Sequence, residues 1–241
     1  AVLMNKGWRF HRGSLADAKA VDLDDSSWAS IDLPHVADIP YWNTTTEVYE
    51  GDTWYRKEFS AEPDWQGRRV FVEFEGAFQH AWVFLNGCLL GEHKGGYTGF
   101  HFDMTPLLRT EGSNVLAVRV RNGWDARIAP RAGDSIFQNG LSRNVRFITT
   151  WSQHVDWCGQ YVTTPQVSRE RASVRVRTEI RNHAPNAMPC TTQVDVIDAD
   201  GTTVARDRSE VALAPEQVTV LTHDLPAFAT PKLWSPDHPH L

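Results

Sequence analysis

The chain has 241 residues, and it contains few cysteines, no long apolar run and no excess of positive charge. Cys88, Cys158 and Cys190 are widely spaced and form no CxxC pair, which argues against a disulfide framework or a zinc site and predicts small buried side chains. A formal net charge of -6 argues against nucleic acid as a partner, because phosphate binding needs surplus Lys and Arg. No run approaches the roughly 20 apolar residues of a membrane span, and no signal-like start is present. We therefore expect a globular protein without a nucleic-acid or membrane partner.

Several catalytic motifs are also missing from the sequence. It contains no G-x-S-x-G elbow, P-loop or GxGxxG, and its His residues lack the paired spacing of metal ligands. We therefore predict no nucleophilic Ser or Cys, no cofactor and no metal. Paired carboxylates could support glycoside hydrolysis, but Glu73, Glu75, Asp103 and Asp134 are each better interpreted as solvated surface groups.

The pattern that is present is a recurrent alternation of apolar and polar residues in short runs. Such runs, bounded by turn residues, indicate half-buried antiparallel strands and an all-β fold. Asn86-Gly87 and Asp200-Gly201 predict hairpin turns, since these residues accept positive φ. A short helical turn is expected after Asp103, with Thr105 as its cap. The ten Trp are mainly expected to fill cores.

Composition changes near residue 150, where the Trp-rich and Gly-rich part of the chain ends. We predict one domain over residues 1–151 and a second over residues 152–241. The first has many strands and long loops, as expected of a jelly-roll β-sandwich. The second has turn signals about every ten residues, which favours a small immunoglobulin-like β-sandwich.

A long stretch without periodicity, residues 121–143, predicts a loop between two strands, and long loops of this kind are usually functional. Trp124 and Phe137 could stack on a sugar ring, while Asp125, Asp134 and Asn139 could hydrogen-bond to its hydroxyls. In the alternative interpretation the two aromatic residues plug the end of a sandwich and the polar residues cap turns. We select Asp134, Trp124 and Asn139 as candidate substrate-binding residues.

An ordered series of short motifs resembles glycoside hydrolase family 2, the group that contains β-galactosidases and β-glucuronidases. The resemblance covers nearly the whole chain, and it depends on the order of the motifs more than on any one of them. In chain order they are Gly7-Trp8-Arg9-Phe10, Asp25-Ser26-Ser27-Trp28, Leu33-Pro34-His35, Trp54-Tyr55-Arg56-Lys57, Leu85-Asn86-Gly87, Gly95-Gly96-Tyr97, Gly140-Leu141-Ser142-Arg143-Asn144-Val145 and Leu233-Trp234-Ser235-Pro236.

This resemblance implies a sugar-binding jelly roll and an immunoglobulin-like domain, followed in the family by a (β/α)8 barrel with two catalytic glutamates. The chain is expected to stop at the seam before that barrel, so it would hold no catalytic residue and be inactive alone. Its expected partners are a terminal β-linked sugar and its own barrel. The family places a sugar-contacting aspartate nine residues before the closing arginine, and here that spacing leads from Arg143 to Asp134.

The chain departs from the family pattern at one place that bears on sugar specificity. Some β-galactosidases have a sugar-contacting Asn shortly before the tyrosine of the WYR-like motif, but no Asn lies between Tyr49 and Tyr55. A free-standing lectin-like module and a purely structural sandwich remain alternatives to the β-galactosidase-like interpretation. A homo-oligomer is compatible with the sequence. Unpaired cysteines fit a cytoplasmic protein as well as a periplasmic or secreted one, of which we favour the latter.

Overall fold

Antiparallel β-strands form nearly all of the regular structure of the chain. The structure is a computed structural model that describes residues 1–37, 49–129 and 139–240. The chain divides into two compact units, Ala1–Thr150 and Trp151–Leu241. The predicted all-β class is confirmed: a jelly-roll β-sandwich is followed by an immunoglobulin-like β-sandwich. No helix in the described part of the chain is long and apolar enough to cross a membrane.

The first unit is built from two main sheets. Its strands, in chain order, are β1 (Val2–Leu3), β2 (Trp8–Arg12), β3 (Ala29–Ile31), β4 (His35–Val36), β5 (Asp52–Ser60), β6 (Arg69–Phe74), β7 (His80–Leu85), β8 (Cys88–Lys94), β9 (Phe100–Asp103), β10 (Ser113–Arg121), β11 (Gly140–Leu141) and β12 (Val145–Thr150). One sheet has the strand order β1-β12-β6-β9, and the other β3-β2-β5-β10-β7-β8. β4 and β11 pair separately as a short ribbon.

The main core lies between these two sheets and follows the predicted alternation. Val72 and Phe74 of β6 pack in the same cluster as Val83 and Leu85 of β7, and all four are buried. Burying such side chains stabilises the fold by about 1.5–3 kcal/mol each. A second, smaller cluster that contains Trp54 packs on the other side of the six-stranded sheet.

The predicted turns are confirmed, with one difference in detail. Asn86 and Gly87 have φ of 51° and 83° and connect β7 to β8. A hydrogen-bonded turn does follow Asp103, but Thr105 does not cap it. Instead the Thr105 hydroxyl accepts a 2.9 Å bond from the backbone N–H of Val70, because β6 runs alongside and offers an unpaired donor.

The second unit contains a main sheet and a hairpin. Its strands are β13 (Gln153–Val167), β14 (Arg171–Asn182), β15 (Met188–Ile197), β16 (Thr203–Leu213), β17 (Val218–Asp224) and β18 (Phe228–Ala229). β14 pairs with β13, β17 and β18, while β15 and β16 form a hairpin whose turn contains Asp200-Gly201. His223 lies fully buried and bonds Asp207 Oδ2 at 2.8 Å and Thr192 Oγ1 at 3.0 Å, so this core holds a satisfied polar group.

The prediction of buried cysteines was wrong. Cys88 and Cys158 are exposed and Cys190 is partly exposed, all as free thiols. Cys88 begins β8, which is the edge strand of its sheet. Cys158 has φ of 53° and lies where the pairing of β13 with β14 shifts register. The usual burial of free cysteines therefore misjudged their exposure, because it takes no account of a sheet edge or a bulge.

Candidate functional site

Four connections of the first unit emerge at one end of its sandwich, which we call the loop end. Arg121, the last residue of β10, pairs with Asp52 at the start of β5 and with His80 at the start of β7. His80 in turn pairs with Lys94 at the end of β8. Antiparallel pairing therefore brings to one edge the described residues that flank four connections, those from β4 to β5, β6 to β7, β8 to β9 and β10 to β11.

Hydrogen bonds made by two buried Asn side chains join the ends of the two long connections where they meet the sheet. The Thr53 hydroxyl donates to Asn139 Oδ1 at 2.7 Å, and Asn139 Nδ2 donates to the carbonyl oxygen of Gly51 at 2.6 Å. Gly51 N–H donates to Asn122 Oδ1 at 2.9 Å, and Asn122 Nδ2 donates to the carbonyl oxygen of Tyr49 at 2.7 Å. Residues 49–51 are thus hydrogen-bonded to both Asn122 and Asn139 where the chain leaves the sheet.

Asn139, predicted as a ligand contact, lies inside this network. Its side chain is 1% exposed, and both ends of its amide are occupied by protein partners. Its backbone carbonyl also accepts a 2.6 Å bond from Ala37 N–H. In this arrangement Asn139 holds the two long connections together, and a sugar hydroxyl would reach its amide only if the network opened.

We expect Asn139→Ala to destabilise the protein by about 1–3 kcal/mol, because the Gly51 carbonyl loses its donor from Asn139 and the Thr53 hydroxyl keeps only a 3.3 Å bond to the Val120 carbonyl oxygen. The free energy of unfolding in urea would measure this loss. Asn186→Ala is the matched control, since the Asn186 side chain is exposed in the second unit. Equal stability of the two variants would contradict this role for Asn139.

Trp124 lies in the connection after β10, with its backbone anchored and its indole 61% exposed. Its backbone N–H donates to Glu50 Oε1 at 3.3 Å. The preceding Gly123 carbonyl accepts a 2.8 Å bond from Gln79 Nε2. This exposure differs from that of an aromatic plug at the end of a sandwich and leaves a ring face accessible for stacking on a sugar.

Asp125 and Arg127 form a two-pronged ion pair next to Trp124. Arg127 Nε and Nη2 donate to the two Asp125 oxygens at 2.9 and 2.8 Å. The hydrogen bonds from Arg127 hold the pKa of Asp125 well below its usual range. Asp125 therefore stays ionised at working pH, where it can accept a hydroxyl hydrogen bond but cannot serve as a general acid.

A cavity of about 450 Å³ lies between this ion pair and the connection from β8 to β9. That connection contributes Gly95, Gly96, Tyr97 and Thr98 to its lining. A Cβ on Gly96 would lie 2.9 Å or less from the ring of Phe78, so only glycine fits there. The two connections that line the cavity, from β8 to β9 and from β10 to β11, are far apart in sequence. Residue patterns alone therefore do not predict that they lie together. The only sequence signal was the Gly95-Gly96-Tyr97 motif.

The ribbon of β4 and β11 closes the base of the loop end with neutral side chains. His35 Nδ1 lies 3.0 Å from the Tyr55 hydroxyl. Burial lowers the pKa of His35 and raises that of Tyr55. Both groups are therefore neutral near pH 7, which is consistent with a packing role beneath Gly140.

Asp134, the first candidate for sugar contact, lies outside the described residues, as does Phe137. Among residues 1–37, 49–129 and 139–240, no group of three or more His, Cys, Asp or Glu side chains could hold a metal ion. The other two candidates, Trp124 and Asn139, lie at the same end of the sandwich. Trp124 is exposed and Asn139 is buried.

The two-sandwich architecture is that of a carbohydrate-active enzyme family. A family model for the sugar-binding domain of glycosyl hydrolases family 2 matches residues 7–151, and a second model of that family matches residues 153–241. The chain belongs to glycoside hydrolase family 2, which confirms the resemblance seen in its motifs.

Relatives and solved structures of this family align with almost the whole chain. The β-galactosidase BoGH2A of Bacteroides ovatus is 33% identical over 98% of the chain, and a β-glucuronidase of Formosa agariphila is 29% identical over 98%. The structure of Bacteroides uniformis β-glucuronidase 2 bound covalently to cyclophellitol-6-carboxylate aziridine matches with a TM-score of 0.92 at 31% identity over 99% of the chain. The chain spans 28%, 26% and 29% of the lengths of these three proteins.

Proposed function

We propose that this chain is the non-catalytic, substrate-orienting N-terminal part of a retaining exo-β-glycosidase. The observation that carries the proposal is the loop end, where ionised Asp125 lines a cavity and Trp124, its neighbour in sequence, is exposed, within a domain of the sugar-binding type. In this proposal the two catalytic glutamates belong to a barrel supplied by the rest of the polypeptide. The much greater length of the relatives supports that division.

Within this proposal each candidate residue has a distinct task. Asp134 accepts a hydrogen bond from a hydroxyl of the terminal sugar. Trp124 offers a ring face on which that sugar can stack. Asn139 holds the ends of the two long connections together where they meet the sheet, so it acts as a positioning residue. Such a site needs a few well-placed polar groups beside an apolar face, because sugars present both kinds of surface.

The substrate is a β-galactoside in the first form of this proposal, so its terminal sugar is galactose. In the second form it is a β-glucuronide, whose terminal sugar is glucuronic acid. The named relatives include enzymes of both kinds. The missing Asn between Tyr49 and Tyr55 argues for testing both substrates side by side. Most contacts that separate the two would come from the barrel, since one substituent distinguishes sugars through only a few hydrogen bonds.

We expect the complete polypeptide to hydrolyse a nitrophenyl β-galactoside or β-glucuronide with retention of configuration, and the 241-residue chain to hydrolyse neither. Release of nitrophenol measures the rate, and proton NMR of the first-formed sugar gives its anomer. Hydrolysis by the isolated chain would overturn the non-catalytic assignment. An inverted product would overturn the retaining mechanism.

The same chain tests the lectin-like alternative, which the exposed Trp124 favours. A site completed by another domain lacks most of its contacts and its exclusion of water, so binding by the chain alone should be weak. Titration calorimetry with methyl β-galactoside and methyl β-glucuronide measures this binding. A submillimolar dissociation constant for either sugar would instead identify a free-standing carbohydrate-binding module.

A further inference from the structure

A polar depression of about 400 Å³ lies on the six-stranded sheet, away from the loop end. Its lining includes Arg9, Arg56 and Arg109 together with Asp25 and Glu58. We call it the arginine pocket. Along β5, Glu58 is six positions from Asp52 at the loop end, which is roughly 20 Å at about 3.3 Å per residue. The pocket is therefore separate from the proposed sugar site.

Arg56 forms the floor of the arginine pocket and is 2% exposed. Its Nε donates to Asp25 Oδ2 at 2.8 Å, and its Nη1 donates to the carbonyl oxygens of Ala18 and Ala20 at 2.8 and 2.7 Å. Its Nη2 has no hydrogen-bond partner among the described residues. A buried guanidinium is thus held at Nε and Nη1, while the two N–H groups of Nη2 have no acceptor in the described part of the chain.

Arg9 stands directly opposite Arg56 in the pairing of β2 with β5. Side chains in that relation have Cβ atoms about 5 Å apart, and like charges there repel each other. In the described part of the chain, the Arg9 guanidinium forms no hydrogen bond or ion pair. The repulsion between the two arginines would be relieved by an anion bound between them.

Arg109 stands at the rim of the pocket, on a backbone that is fixed in place. Asn114 is fully buried, accepts a 2.9 Å bond from Arg109 N–H and donates another of 2.9 Å to its carbonyl oxygen. Of the two carboxylates, Asp25 is occupied by Arg56, and Glu58 accepts a 2.5 Å bond from the Ser113 hydroxyl. Three guanidiniums against two carboxylates leave one positive charge uncompensated.

We propose that the arginine pocket binds a small oxyanion, held by Nη2 of Arg56 and by the guanidiniums of Arg9 and Arg109. Planar guanidinium groups match carboxylate, sulfate and phosphate oxygens through paired hydrogen bonds. Two sources supply this chemistry: the carboxylate of an acidic sugar, or a free inorganic anion. The pocket is a second ligand site on the jelly roll, and it does not depend on glycosidase activity.

The test is titration calorimetry of the purified protein at low ionic strength with sodium sulfate, sodium glucuronate and neutral methyl β-galactoside. We expect saturable binding of at least one of the two anions. Arg9→Gln and Arg109→Gln should each weaken it roughly tenfold or more, since each removes a charge-assisted hydrogen bond. Arg208→Gln is the matched control, because Arg208 is an exposed arginine of the second unit paired with Glu210.

Each outcome decides the proposal. Tighter binding of glucuronate than of sulfate supports a subsite for an acidic sugar, and the reverse order supports an inorganic oxyanion site. Binding that does not saturate, or that Arg9→Gln and Arg109→Gln leave as strong as Arg208→Gln does, overturns the proposal. The urea midpoint of each variant shows whether it is folded, and two independent variants keep the test decisive if one is not.

Discussion

Asp134→Ala in the complete polypeptide should lower kcat/KM on the preferred nitrophenyl β-glycoside by about ten- to 150-fold. A hydrogen bond to a charged group contributes about 1.5–3 kcal/mol, and a buried sugar hydroxyl that loses its acceptor loses that amount. The family resemblance assigns this contact to the aspartate nine residues before Arg143. Steady-state kinetics on the galactoside and the glucuronide measure the effect.

Two further variants separate a sugar contact from a general loss of structure. Asp134→Asn keeps the size and one acceptor oxygen, so its loss should be smaller than that of Asp134→Ala. Asp64→Ala is the matched control, since Asp64 is an exposed carboxylate in the short turn after β5. If Asp134→Ala and Asp64→Ala gave equal kinetics on every cleaved sugar, Asp134 would be a turn residue and the chain mainly a scaffold.

Gly140→Ala should destabilise the protein by about 2–5 kcal/mol, which sums an overpacking cost of about 1–3 and a backbone cost of about 1–2. A Cβ at Gly140 would lie 2.7 Å from the Tyr55 hydroxyl and 2.9 Å from Val36 Cα, and still closer to the His35 carbonyl oxygen. Its φ of +150° is also one that other residues rarely adopt. Urea denaturation followed by circular dichroism measures the change.

Gly112→Ala is the matched control for Gly140→Ala. Gly112 also has a positive φ, of +77°, but an added Cβ meets nothing within 4 Å. It should therefore lose only the backbone contribution of about 1–2 kcal/mol. Equal losses in the two variants would show that the contact of Gly140 with β4 does not limit which residue fits there.

Local features of the sequence determined the elements that depend on near neighbours. The alternation of Val70, Val72 and Phe74 predicted a half-buried strand, and Asn86-Gly87 predicted the turn between β7 and β8. The strand follows from the two-residue period of its side chains, and the turn from the positive φ that Asn and Gly accept. A few adjacent residues control both properties. The spacing and order of the longer motifs likewise carried the family and its two sandwich folds.

Local features of the sequence predicted only part of the candidate site. The lack of periodicity over residues 121–143 drew attention to Trp124 and Asn139, but one proved exposed and the other buried. Nothing near Asn139 in sequence indicates that Thr53 and Gly51 occupy its amide, because those partners lie more than 80 residues away. The exposed thiol of Cys88 was missed for the same reason, since the edge of a sheet is defined by strand order.

The sequence by itself determined the all-β class, the hairpin turns, the membership of glycoside hydrolase family 2 and the loop predicted to contact a sugar. Only the tertiary structure decided which connections share the loop end, and that Arg9 stands opposite the buried Arg56. The physical reason is that turns and alternation reflect neighbours along the chain. Pairing across a sheet depends on register between strands that are distant in sequence.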